Sequence, residues 1–142
     1  MIVPNQRNLK VHFASSEALA HYVILKKLGL KYNLYTAYPF VSDMIKRNPQ
    51  KLTKRELEIL QTLTKGMNHT IQDSGLFTLM FGAKKGKKDK KMISNWYDAL
   101  IDFTKQHNNG ATIVEVDCQK VLGAKEAWFF RERMKKDLPN NR

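Results

Sequence analysis

Apolar and polar positions along the chain switch between a period of two and a period near 3.6. Residues 10–14 (Lys-Val-His-Phe-Ala) are short and β-prone. Ser15 or Ser16 then offers a side-chain oxygen to cap a helix, with Glu17 in its first turn. Ala18, Leu19, Tyr22, Val23, Leu25 and Leu28 give that helix its apolar face, and Gly29 is the expected positive-φ residue beyond its end. A second strand is expected over 32–38, ended by Pro39, and a short helix over 41–47 before Pro49. Thr53-Lys54-Arg55-Glu56 reads as a capping box that opens a helix with Leu57, Ile59, Leu60 and Leu63 on its face and Gly66 at its end.

The third strand is expected over 69–73. A loop follows, and then a helix over 91–106 whose Met92, Ile93, Trp96, Tyr97, Leu100 and Ile101 form an amphipathic stripe. Asn108-Asn109-Gly110 marks a turn. A fourth strand over 111–117 and a last helix over 124–136, carrying Ala127, Trp128 and Met134, complete the pattern. Strand and helix thus alternate four times over one α/β domain spanning 1–142. Such alternation implies βαβ units and a parallel sheet. Two architectures fit: an open doubly wound sheet, or part of a (β/α)8 barrel. A full barrel typically needs about 250 residues, so four units make half of one.

Charge adds a partner to this picture. The chain of 142 residues holds 25 Lys and Arg against 13 Asp and Glu, a formal +12. Such an excess favours a polyanion, and nucleic acid rewards each nearby cation through counterion release. Lys84, Lys85, Lys87, Lys88, Lys90 and Lys91 crowd into residues 84–91, offset only by Asp89. Gly82 and Gly86 predict a loop there. A solvated charge run competes with a phosphate-contacting loop, and the excess outside the run favours the second. No stretch approaches about 18 consecutive apolar residues, residues 1–10 lack an apolar core of the signal-peptide kind, and no helix joins a strongly apolar face to a basic one. A cytoplasmic protein with no membrane partner is expected. One cysteine, Cys118, makes neither an internal disulfide nor a multi-cysteine zinc site.

Parallel sheets place ligands at the C-terminal ends of their strands. That rule selects Ser15, Ser16, Tyr38, Asp73, Asp117 and Cys118. Neighbouring strands lie about 4.8 Å apart, so Asp73 and Asp117 are expected within reach of one small molecule. Paired carboxylates suit acid/base chemistry or hydrogen bonds to a base edge. The competing role for each is a local Asx turn or helix cap. Gly75 allows a tight turn with close backbone approach. Phe77 suits either core packing or stacking on a planar ring. Cys118 reads more as a small buried hydrophobe than as a nucleophile. His12, His21, His69 and His107 lack metal-ligand spacing, and no Gly-x-Gly-x-x-Gly or P-loop pattern occurs, so no metal or nucleotide cofactor is expected.

These residues carry a resemblance. Ile71-Gln72-Asp73-Ser74-Gly75-Leu76-Phe77 resembles the Asp-Ser-Gly-Gly-Phe-Gln segment of the tRNA-guanine transglycosylase superfamily. Val114-Glu115-Val116-Asp117-Cys118 is similar to that family's strand ending in aspartate near a cysteine. Phe13 to Glu17, followed by Leu28-Gly29-Leu30-Lys31, resembles the opening of its phage-type members. The resemblance covers residues 10–125. It implies a (β/α)8 barrel enzyme that exchanges guanine for a 7-deazaguanine base in tRNA or DNA, as in queuosine formation, through a covalent carboxylate intermediate. Asp73 would serve acid/base chemistry. Asp117 would hydrogen-bond the guanine-type edge, with Ser74, Gly75, Phe77 and Cys118 around the base. Leu76 stands in place of the second glycine, and Thr78 where glutamine is usual. The family's nucleophile and zinc-binding cysteines belong to its second half. The expected partners are therefore nucleic acid, guanine or a 7-deazaguanine, and a complementary half-barrel or a second copy.

Two other readings keep the same residues. One is a non-catalytic, basic, nucleic-acid-binding accessory protein. The other is an unrelated small enzyme using Asp73 and Asp117.

Overall fold

The computed structural model describes residues 11–14, 19–81, 88–108 and 110–140. Its sheet has four strands: β1 (Phe13–Ala14), β2 (Tyr32–Thr36), β3 (His69–Asp73) and β4 (Thr112–Ile113). All pair in parallel, in the order β1-β2-β3-β4. The central pair is the longest, running from Tyr32↔His69 to Thr36↔Asp73. β1 and β4 are two-residue edges, and the Val114 N–H extends the last pairing by donating to the Gln72 carbonyl.

Seven helices occur among the described residues: α1 (Leu19–Lys27), α2 (Tyr38–Met44), α3 (Lys54–Thr64), α4 (Leu76–Phe81), α5 (Lys90–His107), α6 (Gln119–Leu122) and α7 (Ala124–Asp137). The mixed α/β class with a parallel sheet is as expected, but the detail is richer than four simple units. The strand expected over 32–38 stops at Thr36, and Pro39 lies in the first turn of α2 instead of closing the strand. Proline fits there because its missing N–H has no partner in a first helical turn. The strand expected over 111–117 shrinks to Thr112–Ile113 at the sheet edge, and α6 occupies the chain just after Cys118. Residues 76–81, in the stretch expected as a loop, form α4.

Alternation across the strands sorts the two faces. Asn33, Tyr35, Thr70 and Gln72 are buried, and they meet the helices. Asn33 Nδ2 donates to the Leu63 carbonyl of α3 at 2.6 Å, and Gln72 Nε2 donates to Thr104 of α5 at 2.8 Å. Tyr22 of α1, fully buried, reaches Asn33 as well. The helices that join successive strands therefore cover the same face. Tyr32, Leu34, Thr36, His69, Ile71 and Asp73, on the other face, are half-buried.

The core lies between the sheet and α2, α5 and α7. α5 supplies Ile93, Trp96, Tyr97, Leu100, Ile101 and Phe103, all buried, as its stripe predicts. Phe103 stacks on Phe40 of α2 at 5.8 Å, and Tyr97 packs on Phe130 of α7 at 5.3 Å. Each such ring buries a large apolar area, so α5 and its neighbours hold the domain together. No helix among the described residues is long and apolar enough to cross a membrane.

Candidate functional site

Of the two carboxylates selected from the sequence, Asp73 ends a strand and Asp117 follows the neighbouring one, and each is engaged by its own turn. Asp73 ends β3, half-buried, and its Oδ2 accepts the Gly75 N–H at 3.2 Å. Asp117 is exposed, four residues beyond β4, and its Oδ1 accepts the Gln119 N–H at 3.1 Å. Both are Asx-type contacts that shape the chain into α4 and α6.

The segment after Asp73 is built by packing. Ser74 is buried, its carbonyl accepts the Trp96 indole N–H at 3.1 Å, and its hydroxyl accepts the Leu76 N–H. Gly75 has φ +71°, and a Cβ there would lie 2.8 Å from the Tyr38 backbone. The expected close approach is thus real, but its neighbour is α2. Phe77 is 70% exposed and packs on Phe81, 5.0 Å away on the next turn of α4. Of its two expected roles, core packing is excluded and an outward ring face remains.

Around Asp117 the chain forms an open cleft of about 380 Å³. Glu115, Asp117 and Gln119 supply polar atoms, and Ala124, Ala127, Trp128 and Arg131 of α7 complete the lining. Trp128 is 57% exposed, with the Arg131 guanidinium 4.7 Å from its ring centre. Arg131 is also paired with Glu115 through two nitrogens, and that hydrogen bonding holds the Glu115 carboxyl below its ordinary range. Asp117 is thereby the carboxylate of this cleft outside that pair. An exposed indole beside such a carboxylate suits a flat heterocycle with N–H donors on one edge. The sequence placed Trp128 only among the apolar positions of a helix. Its exposed setting, which spacing does not reveal, makes it a site residue.

Asp73 does not line this cleft. Neither does Cys118, which is fully buried in the core, its thiol pushed up by burial. Of the lysine run, Lys84, Lys85 and Lys87 lie outside the described residues. Lys88 stands 5.3 Å over Phe81, Lys90 stands 5.3 Å over Phe129 and pairs with Glu126 at 2.9 Å, and Lys91 is exposed. Cations over exposed rings recur here on α4 and α7. Among the described residues, no group of three or more His, Cys, Asp or Glu is placed to hold a metal.

One arrangement escaped sequence reading. His12 and His69 hydrogen-bond each other at 2.7 Å, and the second ring nitrogen of His69 meets Thr112 Oγ1 at 2.9 Å. This chain of contacts ties three strands at the N-terminal edge of the sheet, away from the strand ends that carry Asp73. Compared with protein-family models, curated proteins and solved structures, the chain matches none.

Proposed function

We propose that this chain is the base-recognising half of a transglycosylase-like (β/α)8 barrel that exchanges guanine for a 7-deazaguanine base in tRNA or DNA. The observation that carries the reading is the cleft lined by both Asp117 and the exposed Trp128, following the strand next to the one that Asp73 ends. A purine-like base stacked on Trp128 would offer its N–H edge to the Asp117 carboxylate. Asp73, one strand over, would serve proton transfer with the carboxylate oxygen that its turn leaves unused.

The sheet supports the same reading. Its order follows the chain without reversal, whereas a doubly wound sheet reverses at a switch point. Among the described residues, the joining helices cover the face of Asn33 and Gln72, as along a barrel wall. Parallel sheets are stable with both faces covered, so the half-buried face of Leu34, Ile71 and Asp73 favours closure by further strands. Val23, Ile24 and Leu28 of the α1 region, 43%, 54% and 78% exposed, add an apolar flank beside the β1 edge where a complementary half or second copy would pack. The nucleophilic carboxylate would come from that complement.

The test is incubation of this chain with radiolabelled guanine and either tRNA or duplex DNA. The reading predicts guanine retained by the chain, displaced by an unlabelled 7-deazaguanine base, and no transfer to the polynucleotide. Absence of retained guanine contradicts base recognition. Transfer by the chain alone contradicts the need for a complement.

A second reading, a non-catalytic nucleic-acid-binding protein, is favoured by the backbone contacts that occupy Asp73 and Asp117. It predicts no guanine retention and tight, salt-sensitive polynucleotide binding.

A further inference from the structure

A second cleft, of about 370 Å³, opens between α2, α4 and α5. We infer that it holds one nucleotide of a single-stranded polynucleotide, base inward and phosphate at the rim. This inference stands whether or not the chain takes part in base exchange.

The cleft has three kinds of lining, arranged as a nucleotide requires. Its apolar part is Tyr38, Ile45, Leu79, Met92 and Trp96. Trp96 is buried and stacks behind Tyr38 with ring centres 5.4 Å apart and planes 28° apart. Tyr38 is thereby held rigid, the condition under which a ring serves as a stacking surface at small entropic cost. Ser42, Thr78 and Asn95 bring neutral donors and acceptors, able to meet the edge of a base or a sugar hydroxyl. Lys46, just after α2, and Lys88, just ahead of α5, both line the cleft and bring positive charge. Lys46 is held by Asp43 at 2.8 Å, and both side chains of that pair are about half exposed. Such a pair is weak, and a phosphate competes for the ammonium group.

The surroundings continue the same chemistry. Lys88 lies over Phe81, and Phe81 packs on the 70% exposed Phe77. A strand leaving the cleft along α4 would therefore meet a second aromatic step flanked by a cation. Alternating rings and lysines is the pattern of sequence-tolerant single-strand binding, in which each stacked base contributes about 1–3 kcal/mol. The formal +12 of the chain complements the polyanion.

The test measures fluorescence anisotropy of labelled oligouridylate and oligothymidylate, each about ten nucleotides long, at about 0.1 M salt. Ser42→Trp and Thr78→Trp fill the cleft without changing charge. Each is expected to weaken binding at least tenfold, the effect of losing roughly one stacked base. Lys135→Gln removes a positive charge elsewhere, on α7, and is expected to stay within about twofold of wild type, a small share of a delocalised charge effect. Trp128→Phe leaves Trp96 as the single tryptophan, and unlabelled strand is expected to quench it. Uridine and thymidine strands differ in both the sugar 2′-hydroxyl and the base 5-methyl group, so a third strand of 2′-deoxyuridylate, which keeps the uracil base, identifies the sugar the cleft accepts. Failure of all these strands to bind overturns the inference. So does unchanged affinity in folded cleft-filling variants, or an unquenched Trp96.

Discussion

The Arg131 guanidinium lies 4.7 Å from the centre of the Trp128 ring while its nitrogens remain paired with Glu115. One cation thus contacts both a carboxylate and an exposed indole in the cleft that Asp117 also lines. The indole is presented to solvent in a set orientation, at low entropic cost to any ring that stacks on it.

Trp128→Ala is expected to leave thermal stability nearly unchanged, because the ring is more than half exposed. It is expected to weaken retention of labelled guanine at least tenfold, the effect of losing about 1–3 kcal/mol of stacking. Equilibrium dialysis checks the affinity and a thermal melt checks the fold. Retention equal to wild type would remove Trp128 from the site.

Acid sensitivity follows from Glu56. Arg47 donates to its two oxygens at 2.6 and 2.8 Å, and the Thr53 N–H donates to it at 2.7 Å. The Arg47 hydrogen bonds are the largest cause of a carboxyl pKa held at about 2, against an ordinary 4.5. A folded-state pKa below the unfolded one contributes stability that is complete above about pH 4.5 and fades as pH falls toward 2. Glu56→Gln is therefore expected to cost about 1–2 kcal/mol at pH 7 and almost nothing near pH 2. Urea denaturation across that range checks it, and a deficit independent of pH would contradict the assignment.

Gly75 joins the end of β3 to α4 at φ +71° with the Tyr38 backbone against it. Gly75→Ala is expected to destabilise the fold by more than about 2 kcal/mol, from the combined strain and overlap. Chemical denaturation reads the loss. A variant as stable as wild type would mean that α2 moves away freely.

Inside the helix-covered face, the Tyr35 hydroxyl donates to Gln72 Oε1 at 2.9 Å, and Asn108 Nδ2 donates to the same oxygen at 3.2 Å. Gln72→Leu removes the acceptor of the Tyr35 hydroxyl and the donor to Thr104 Oγ1, while Asn108 Nδ2 keeps the Ala111 carbonyl. It is expected to cost about 1–3 kcal/mol. Tyr35→Phe, which removes a single hydroxyl, is expected to cost less. Urea midpoints order the two, and the reverse order would show that the network is not what Gln72 supports.

Legibility of the fold varied with how local each cause was. The Thr53–Glu56 capping box acts within one turn, and both of its reciprocal bonds are present. The α5 stripe and the positive φ of Gly29 and Gly66 are equally local. β4 was overestimated because Ile113, Val114 and Val116 suit a strand, yet an edge offers pairing on one side only. α4 was missed because its buried Leu76 and Met80 and its exposed Phe77 and Phe81 read together as one apolar run. The rule of strand ends selected Asp117, which lines the cleft, and Asp73, which does not. Trp128 was not found, because helical spacing cannot tell an exposed ring from a core ring.

Calorimetric titration of a 7-deazaguanine base into the wild-type chain and into Asp117→Asn tests the central claim most directly. The account predicts one site per chain in the wild type and at least tenfold weaker binding in Asp117→Asn, since the amide replaces an acceptor with a donor facing the base edge. No heat of binding in the wild type, or equal affinity in the two proteins, would contradict it.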